Sequence, residues 1–323
     1  MGNYLVTGAA GFIGARMSQM LIEQGHTVVG VDNMNDAYDV RIKEFRLRNL
    51  QTLTGFDFVR ADISERSVLD LLAGRRFDAA INLAARAGVR YSVSDPWVFL
   101  NSNILGTLNM LELCRQTDCK KFLLASTSSI YGANPPYPTP ETASSSEPLQ
   151  PYAASKKGAE VLAHSYHYLH KIDVSIVRYF TVFGPAGRPD LAIFRFVQRI
   201  TEGRPIRVNG DGEQSRGFTY IDDIARGSIA ALKPLGYEII NLGGHEVVTI
   251  NDLIKLTEEI IGKKAIVQYG PPDLADMRSN WADVSKARAM LNWEPQVGLR
   301  DGISRLFEWY RAEREWAKDI VTA

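Results

Sequence analysis

Residues 151–156 read PYAASK, which sets Tyr152 and Lys156 four positions apart and so on one face of a helix. A phenol and an ammonium at that spacing are either a surface contact or an acid–base pair. Upstream, ASTSSIYG (125–132) offers Thr127, Ser128 and Ser129, short hydroxyl side chains suited to orienting an alcohol. A free phenol, with a pKa of about 10, is a poor base at neutral pH. Next to an ammonium and the cationic ring of an oxidised nicotinamide, its phenolate form is favoured. Tyr152 would then accept a proton from a sugar hydroxyl as the carbon gives up hydride. Lys156 would stabilise the phenolate and hold the nicotinamide ribose, and Thr127 would fix the reacting hydroxyl.

That chemistry requires a dinucleotide, and the chain opens with a place for one. VTGAAGFIGA (6–15) puts Gly8, Gly11 and Gly14 between a strand and a helix. The glycines permit a tight turn, close approach of backbone to a pyrophosphate and close helix–strand packing. The helix N-terminus supplies oriented N–H donors. The next strand ends at Asp32, where a carboxylate accepts from both hydroxyls of an adenosine ribose. A 2′-phosphate there would meet like charge, so the pattern favours NAD over NADP.

The elements that would position these residues alternate. NYLVTG (3–8), TVVGVD (27–32), FDFVRAD (56–62), AAINLAA (79–85), KFLLAS (121–126) and VSIVRYF (174–180) read as strands buried on both faces, as in parallel sheets. Helical stretches such as 12–24 and 104–116 fall between them. The fold predicted is α/β, a Rossmann-type doubly wound parallel sheet, with right-handed crossovers. Residues 1–184 form the NAD-binding domain, and 185–323 form mainly a smaller mixed α/β substrate lobe. Segments near 217–244 are candidates to return to the sheet.

Composition narrows the classes of function. The 323 residues carry 37 Lys and Arg against 37 Asp and Glu, which gives no bulk attraction to nucleic acid or anionic membrane. No signal peptide or membrane span is read. Cys114 and Cys119 are too few for a disulfide framework, which suits the cytoplasm. Without a second pair they make no zinc site, and His164, His167 and His170 drift around a helix with no fourth ligand, so no metal is expected.

The chain resembles the extended short-chain dehydrogenase/reductase superfamily and, within it, the nucleotide-sugar 4-epimerases. The residues that carry the likeness are TGAAGFIG, Asp32, AD ending at Asp62, NLAA ending at Ala85, STSSIYG, PYAASK, RYFTVFGP, FTYIDD and WADVSKA, in the family's order along nearly the whole chain. The resemblance implies a retained NAD, oxidation of the sugar at C4, turning of the 4-keto intermediate, and hydride return to its other face. It assigns catalysis to Tyr152, Lys156 and Thr127. It places NAD on Gly8, Gly11, Phe12, Ile13, Gly14, Asp32, Asn33, Asp62, Ile63, Leu83, Ala84, Ala85, Ser102, Ser126 and Tyr179, besides Tyr152 and Lys156. Arg216 falls on the family's diphosphate-gripping arginine, with Val208, Asp276 and Arg278 as further nucleotide contacts.

TVFGPAGRPD (181–190) is similar to the corresponding segment of UDP-glucuronate 4-epimerases. Thr181 stands where neutral-hexose enzymes typically carry Asn, and Arg188 follows; Arg90 adds positive charge. A carboxylate calls for charge-assisted hydrogen bonds, which Ser128, Ser129, Thr181 and Arg188 would provide. The alternative for Arg188 is a simple pair with Asp190. Related UDP-glucuronate decarboxylases carry Glu where this chain has Ser129, which favours epimerisation. A UDP-glucuronate decarboxylase, a neutral UDP-hexose 4-epimerase and a non-catalytic NAD-binding protein stay open as other readings. The resemblance also implies a homodimer built on helices near 94–115 and 151–170.

Overall fold

Every other residue of the central strands goes to a different core, which is why their sequences read as unbroken apolar runs. The computed structural model describes residues 1–244, 246–272 and 278–322. Its main sheet is built from β1 (Asn3–Thr7), β2 (Thr27–Asp32), β3 (Phe56–Arg60), β4 (Ala79–Asn82), β5 (Lys121–Thr127) and β6 (Asp173–Tyr179), plus a returning strand, Tyr237–Leu242. From edge to edge the order is returning strand, β6, β5, β4, β1, β2, β3, and every neighbour is parallel. Leu5, Ala80, Phe122, Leu124 and Ile176 face one core. Val6, Ile81, Leu123 and Val177 face the other, which continues into the second lobe through Phe218, Trp293 and Tyr310. The expected doubly wound sheet is present.

The chain order reverses between β1 and β4, and ligands of such sheets bind at the carboxyl ends of the strands at that reversal. The first crossover helix, α1 (Phe12–Glu23), starts there, and α2 (Val40–Gln51) follows β2. Asp39 caps α2 by accepting from the Arg41 N–H. The helix Pro151–His170 begins with proline in its first turn, where the missing N–H costs nothing, and ends on Lys171 in the left-handed conformation.

The remaining chain forms a smaller mixed lobe. Ser215–Tyr220 pairs in parallel with Thr181–Phe183 and Ser279–Asn280, and antiparallel with Glu246–Thr249. Ile206–Asn209 pairs with Val267–Gly270. The helix Ile221–Ala230 returns to α1, where Arg16 holds Asp222 through Nε at 2.7 Å. Among the described residues, no helix is long and apolar enough to cross a membrane.

Candidate active site

The turn after β1 closes on itself so tightly that side chains do not fit. Gly8 has φ +69°, and a Cβ on it would lie 2.8 Å from the Ala84 nitrogen in the loop after β4. A Cβ on Gly11 would stand 2.8 Å from the Gly8 carbonyl oxygen, and one on Gly14 only 2.2 Å. All three obstacles are backbone and cannot rotate away. The result is a bare cradle at the start of α1, beginning with Phe12 and Ile13, whose free N–H groups suit a diphosphate.

Asp32 lies beside this cradle and is buried, its oxygens accepting from the Ala10 N–H at 3.1 Å and the Met34 N–H at 2.8 Å. Asn33 donates to Asp62 at 2.7 Å. Burial pushes the Asp62 carboxyl up, but donors from Ser64 and Asn33 outweigh it and hold the group below the ordinary carboxylate value. Ile63 packs against Gly106. Leu83, Ala84 and Ala85 follow β4, and the Ala84 N–H donates to the Thr7 hydroxyl at 3.1 Å. Ser102 lies in a wide π turn, Asn101–Leu105.

The lysine of the Tyr–Lys pair is buried and the tyrosine is partly covered. Lys156 is 3% exposed, and burial brings its ammonium down to about 8, with Glu160 pulling the other way. Tyr152 packs edge-on against Phe99 at 6.1 Å, with Thr127 and Arg188 as its polar neighbours. Burial raises its phenol above the ordinary value; the Thr127 hydroxyl and the charge of Arg188 oppose this. The protein therefore does not make Tyr152 more acidic by itself, because desolvation outweighs the nearby positive charge.

Arg188 is thus brought within electrostatic reach of Tyr152, although 36 residues separate them in sequence (188 − 152). It is also paired: Nε and Nη2 donate to Asp190 at 3.1 and 2.5 Å. Thr127 accepts from the Ser129 N–H at 3.2 Å, and Ser128 accepts from Asn280 at 2.9 Å. Thr181 opens the strand that leads to Arg188.

Other candidates stand apart or face elsewhere. Ser126 donates to buried Glu160 at 2.6 Å. Tyr179 shares a hydrogen bond of 2.8 Å with Ser228 in the core, and Val208 is buried in that same core. Arg216 donates to the Ser215 carbonyl at 2.8 Å, near the exposed Arg278, whose carbonyl accepts from the Ser215 N–H. Arg90 is exposed. Asp276 lies outside the described residues.

Several supports of the site were not read from the sequence. Asn103 donates to the Arg86 carbonyl and to Ser155, and accepts from the Arg86 N–H at 2.8 Å. It thereby pins the loop after β4 to the helix of Tyr152. Glu160 receives both Nε and Nη2 of the fully buried Arg178, at 2.9 and 2.8 Å. An acid one turn beyond Lys156 was the available signal for that pair. Nothing local marked Asn103.

Residues 4–243 match the NAD dependent epimerase/dehydratase family. The chain belongs to that family. Within the NAD dependent epimerase/dehydratase family, a UDP-glucuronate 4-epimerase of Thermodesulfobacterium geofontis (strain OPF15) is 53% identical over 323 residues, 99% of each chain. The structure of a UDP-glucuronic acid 4-epimerase from Bacillus cereus, in complex with UDP-glucuronic acid and NAD, superposes with TM-score 0.88 at 37% identity, over 96% of this chain and 99% of that one. A UDP-glucose 4-epimerase from Thermotoga maritima, with UDP-glucose, gives TM-score 0.89 at 32% identity, over 97% and 99%.

Proposed function

We propose that the protein interconverts UDP-glucuronate and UDP-galacturonate by NAD-dependent oxidation and re-reduction at C4. The observation that carries this reading is the meeting of Tyr152, Thr127 and Arg188 at one place, in a chain 53% identical end to end to a UDP-glucuronate 4-epimerase. The cradle of Gly8, Gly11 and Gly14, which any Cβ would fill, fits a dinucleotide diphosphate, and Asp32 beside it fits the adenosine ribose. When bound, NAD supplies the hydride acceptor and donor for C4 and a positive ring beside the phenol.

Tyr152 takes the proton of the C4 hydroxyl and later returns it, while Thr127 orients that hydroxyl. Lys156 supplies charge to the phenolate and holds the nicotinamide ribose. Ser128, Ser129, Thr181 and Arg188 hold the sugar carboxylate, and Arg216 and Arg278 hold the UDP. The oxidised sugar is a β-keto acid, which loses carbon dioxide when its carboxylate stands across the carbonyl plane. Ser129 puts no negative charge beside that carboxylate, so the bond can be held in plane. Residues 1–184 with the returning strand carry NAD; 185–323 carry mainly the sugar nucleotide.

The protein acts as a cytoplasmic homodimer. Free, buried Cys114 and Cys119 suit a reducing compartment. Trp97, Leu105, Val161, Tyr168 and Leu169 are exposed apolar side chains on two helical segments that pack together, the sort of surface a second copy covers.

The deciding test is incubation with UDP-glucuronate alone, followed by NMR. UDP-galacturonate without added NAD and without net NADH is expected. Carbon dioxide with a UDP-pentose would make the protein a decarboxylase, and unchanged substrate would remove the proposal.

A further inference from the structure

Helix α2 buries two cations, Lys43 and Arg46. Lys43 has an anionic neighbour, Asp32 at 3.7 Å. Arg46 is 4% exposed, and all its hydrogen-bond partners among the described residues are neutral. Its Nε and Nη2 both donate to the Ala186 carbonyl, at 2.9 and 2.6 Å. Its Nη1 donates to the Ala10 carbonyl at 3.1 Å and to the Tyr38 hydroxyl at 2.9 Å. The guanidinium lies 5.6 Å from the Phe12 ring centre and 5.7 Å from that of Tyr38. Burying a guanidinium without a carboxylate is costly, so folding stability alone does not account for it.

What Arg46 joins suggests a use. Ala10 belongs to the glycine turn. Ala186 lies two residues before Arg188, in the turn that presents it. Ala186 has φ +50°, a conformation that costs a residue with a Cβ on the order of 1 kcal/mol, and two donors on its carbonyl hold it there. A Cβ on the next residue, Gly187, would lie 3.7 Å from the Phe12 ring, so this turn rests on the start of α1. Tyr38, which Arg46 also holds, is close enough to bear on Arg188 electrostatically.

We propose that Arg46 is a positioning residue that anchors the turn carrying Arg188 onto the glycine turn, so that the reading of the sugar carboxylate is held in place from the dinucleotide site by one side chain. The carboxylate part rests on the UDP-glucuronate reading above; the tie between the two turns does not.

Arg46→Lys tests this while keeping the charge, because an ammonium cannot give two parallel donors to Ala186 and still reach Ala10. Hydrogen exchange across residues 184–191 should rise at least about tenfold, with α1 unchanged. The kcat/KM for UDP-glucuronate should fall about tenfold, mainly through KM, while that for UDP-glucose changes less than about threefold. Added to Arg188→Ala, the same change should cost little more, since both act through one contact. Unchanged exchange at 184–191, equal losses on the two sugars, or full additivity would each overturn the proposal. Raised exchange in a protein whose wild type ignores UDP-glucuronate would uphold the tie and sink the sugar assignment. Should the lysine variant fold poorly, Arg46→Gln gives the same exchange readout.

Discussion

At the level of single residues, the proposed chemistry asks one oxygen to move a proton beside one cation the fold accommodates at a cost. Tyr152→Phe removes only the hydroxyl, so turnover should fall at least about a thousandfold with NAD and UDP-sugar still bound, as measured by single-turnover kinetics and cofactor content. Lys156 makes a sharper case. Its ammonium titrates at about 8 instead of 10.5, so between those pH values the unfolded chain binds more protons than the folded one. The penalty for burying the charge is full below pH 8 and is relieved as pH rises through that window. Lys156→Met should therefore be inactive yet more stable at pH 7 by roughly 1–3 kcal/mol, a gain that shrinks toward pH 10. A melting temperature at pH 7 no higher than that of the wild type would refute this. The local spacing of Tyr152 and Lys156 marks them as a pair, whereas Thr127, far upstream, is singled out by the family resemblance. The inward turn of Ser126 toward Glu160 was not legible, because a strand's sequence does not say which face meets a buried acid from another element.

At the level of elements, the site is held by close backbone packing at the glycine turn and by buried side-chain bonds, such as those of Asn103 and of Glu160 with Arg178. Gly14→Ala would drive a methyl to 2.2 Å from the Gly8 carbonyl; about 1–3 kcal/mol of strain is expected, with most bound NAD lost. Cofactor content and thermal denaturation of the purified variant measure both. Strand TVVGVD reads to its observed bounds, because every residue after Thr27 is buried. AAINLAA was read too long. The strand ends at Asn82, whose side chain accepts from Thr7 at 2.6 Å and donates to Thr107, and the chain then swings over Gly8. The helix expected over 104–116 is Gly106–Thr117, preceded by the π turn that throws Asn103 inward. The short strands of the second lobe, such as Ser279–Asn280, owe their form to distant partners and left no local pattern.

At the level of the whole molecule, the parallel sheet is not finished by contiguous chain. The returning strand Tyr237–Leu242 lies in register along β6, Val174 opposite Tyr237 and Tyr179 opposite Leu242. Apolar runs make the strands of the first half plain, and the stretch near 217–244 reads as able to return. Its seat beside β6 was not legible, since pairing partners are set by tertiary packing. A fragment comprising residues 1–236 should aggregate, because the backbone donors and acceptors of β6 would be left bare along one side. A soluble, monodisperse fragment in sedimentation velocity would contradict this. The same arrangement bears on biosynthesis. Until residue 242 clears the ribosome, the nascent polypeptide carries an unsealed β margin, so its most vulnerable interval falls late in translation, and slow codons between 180 and 237 would lengthen it.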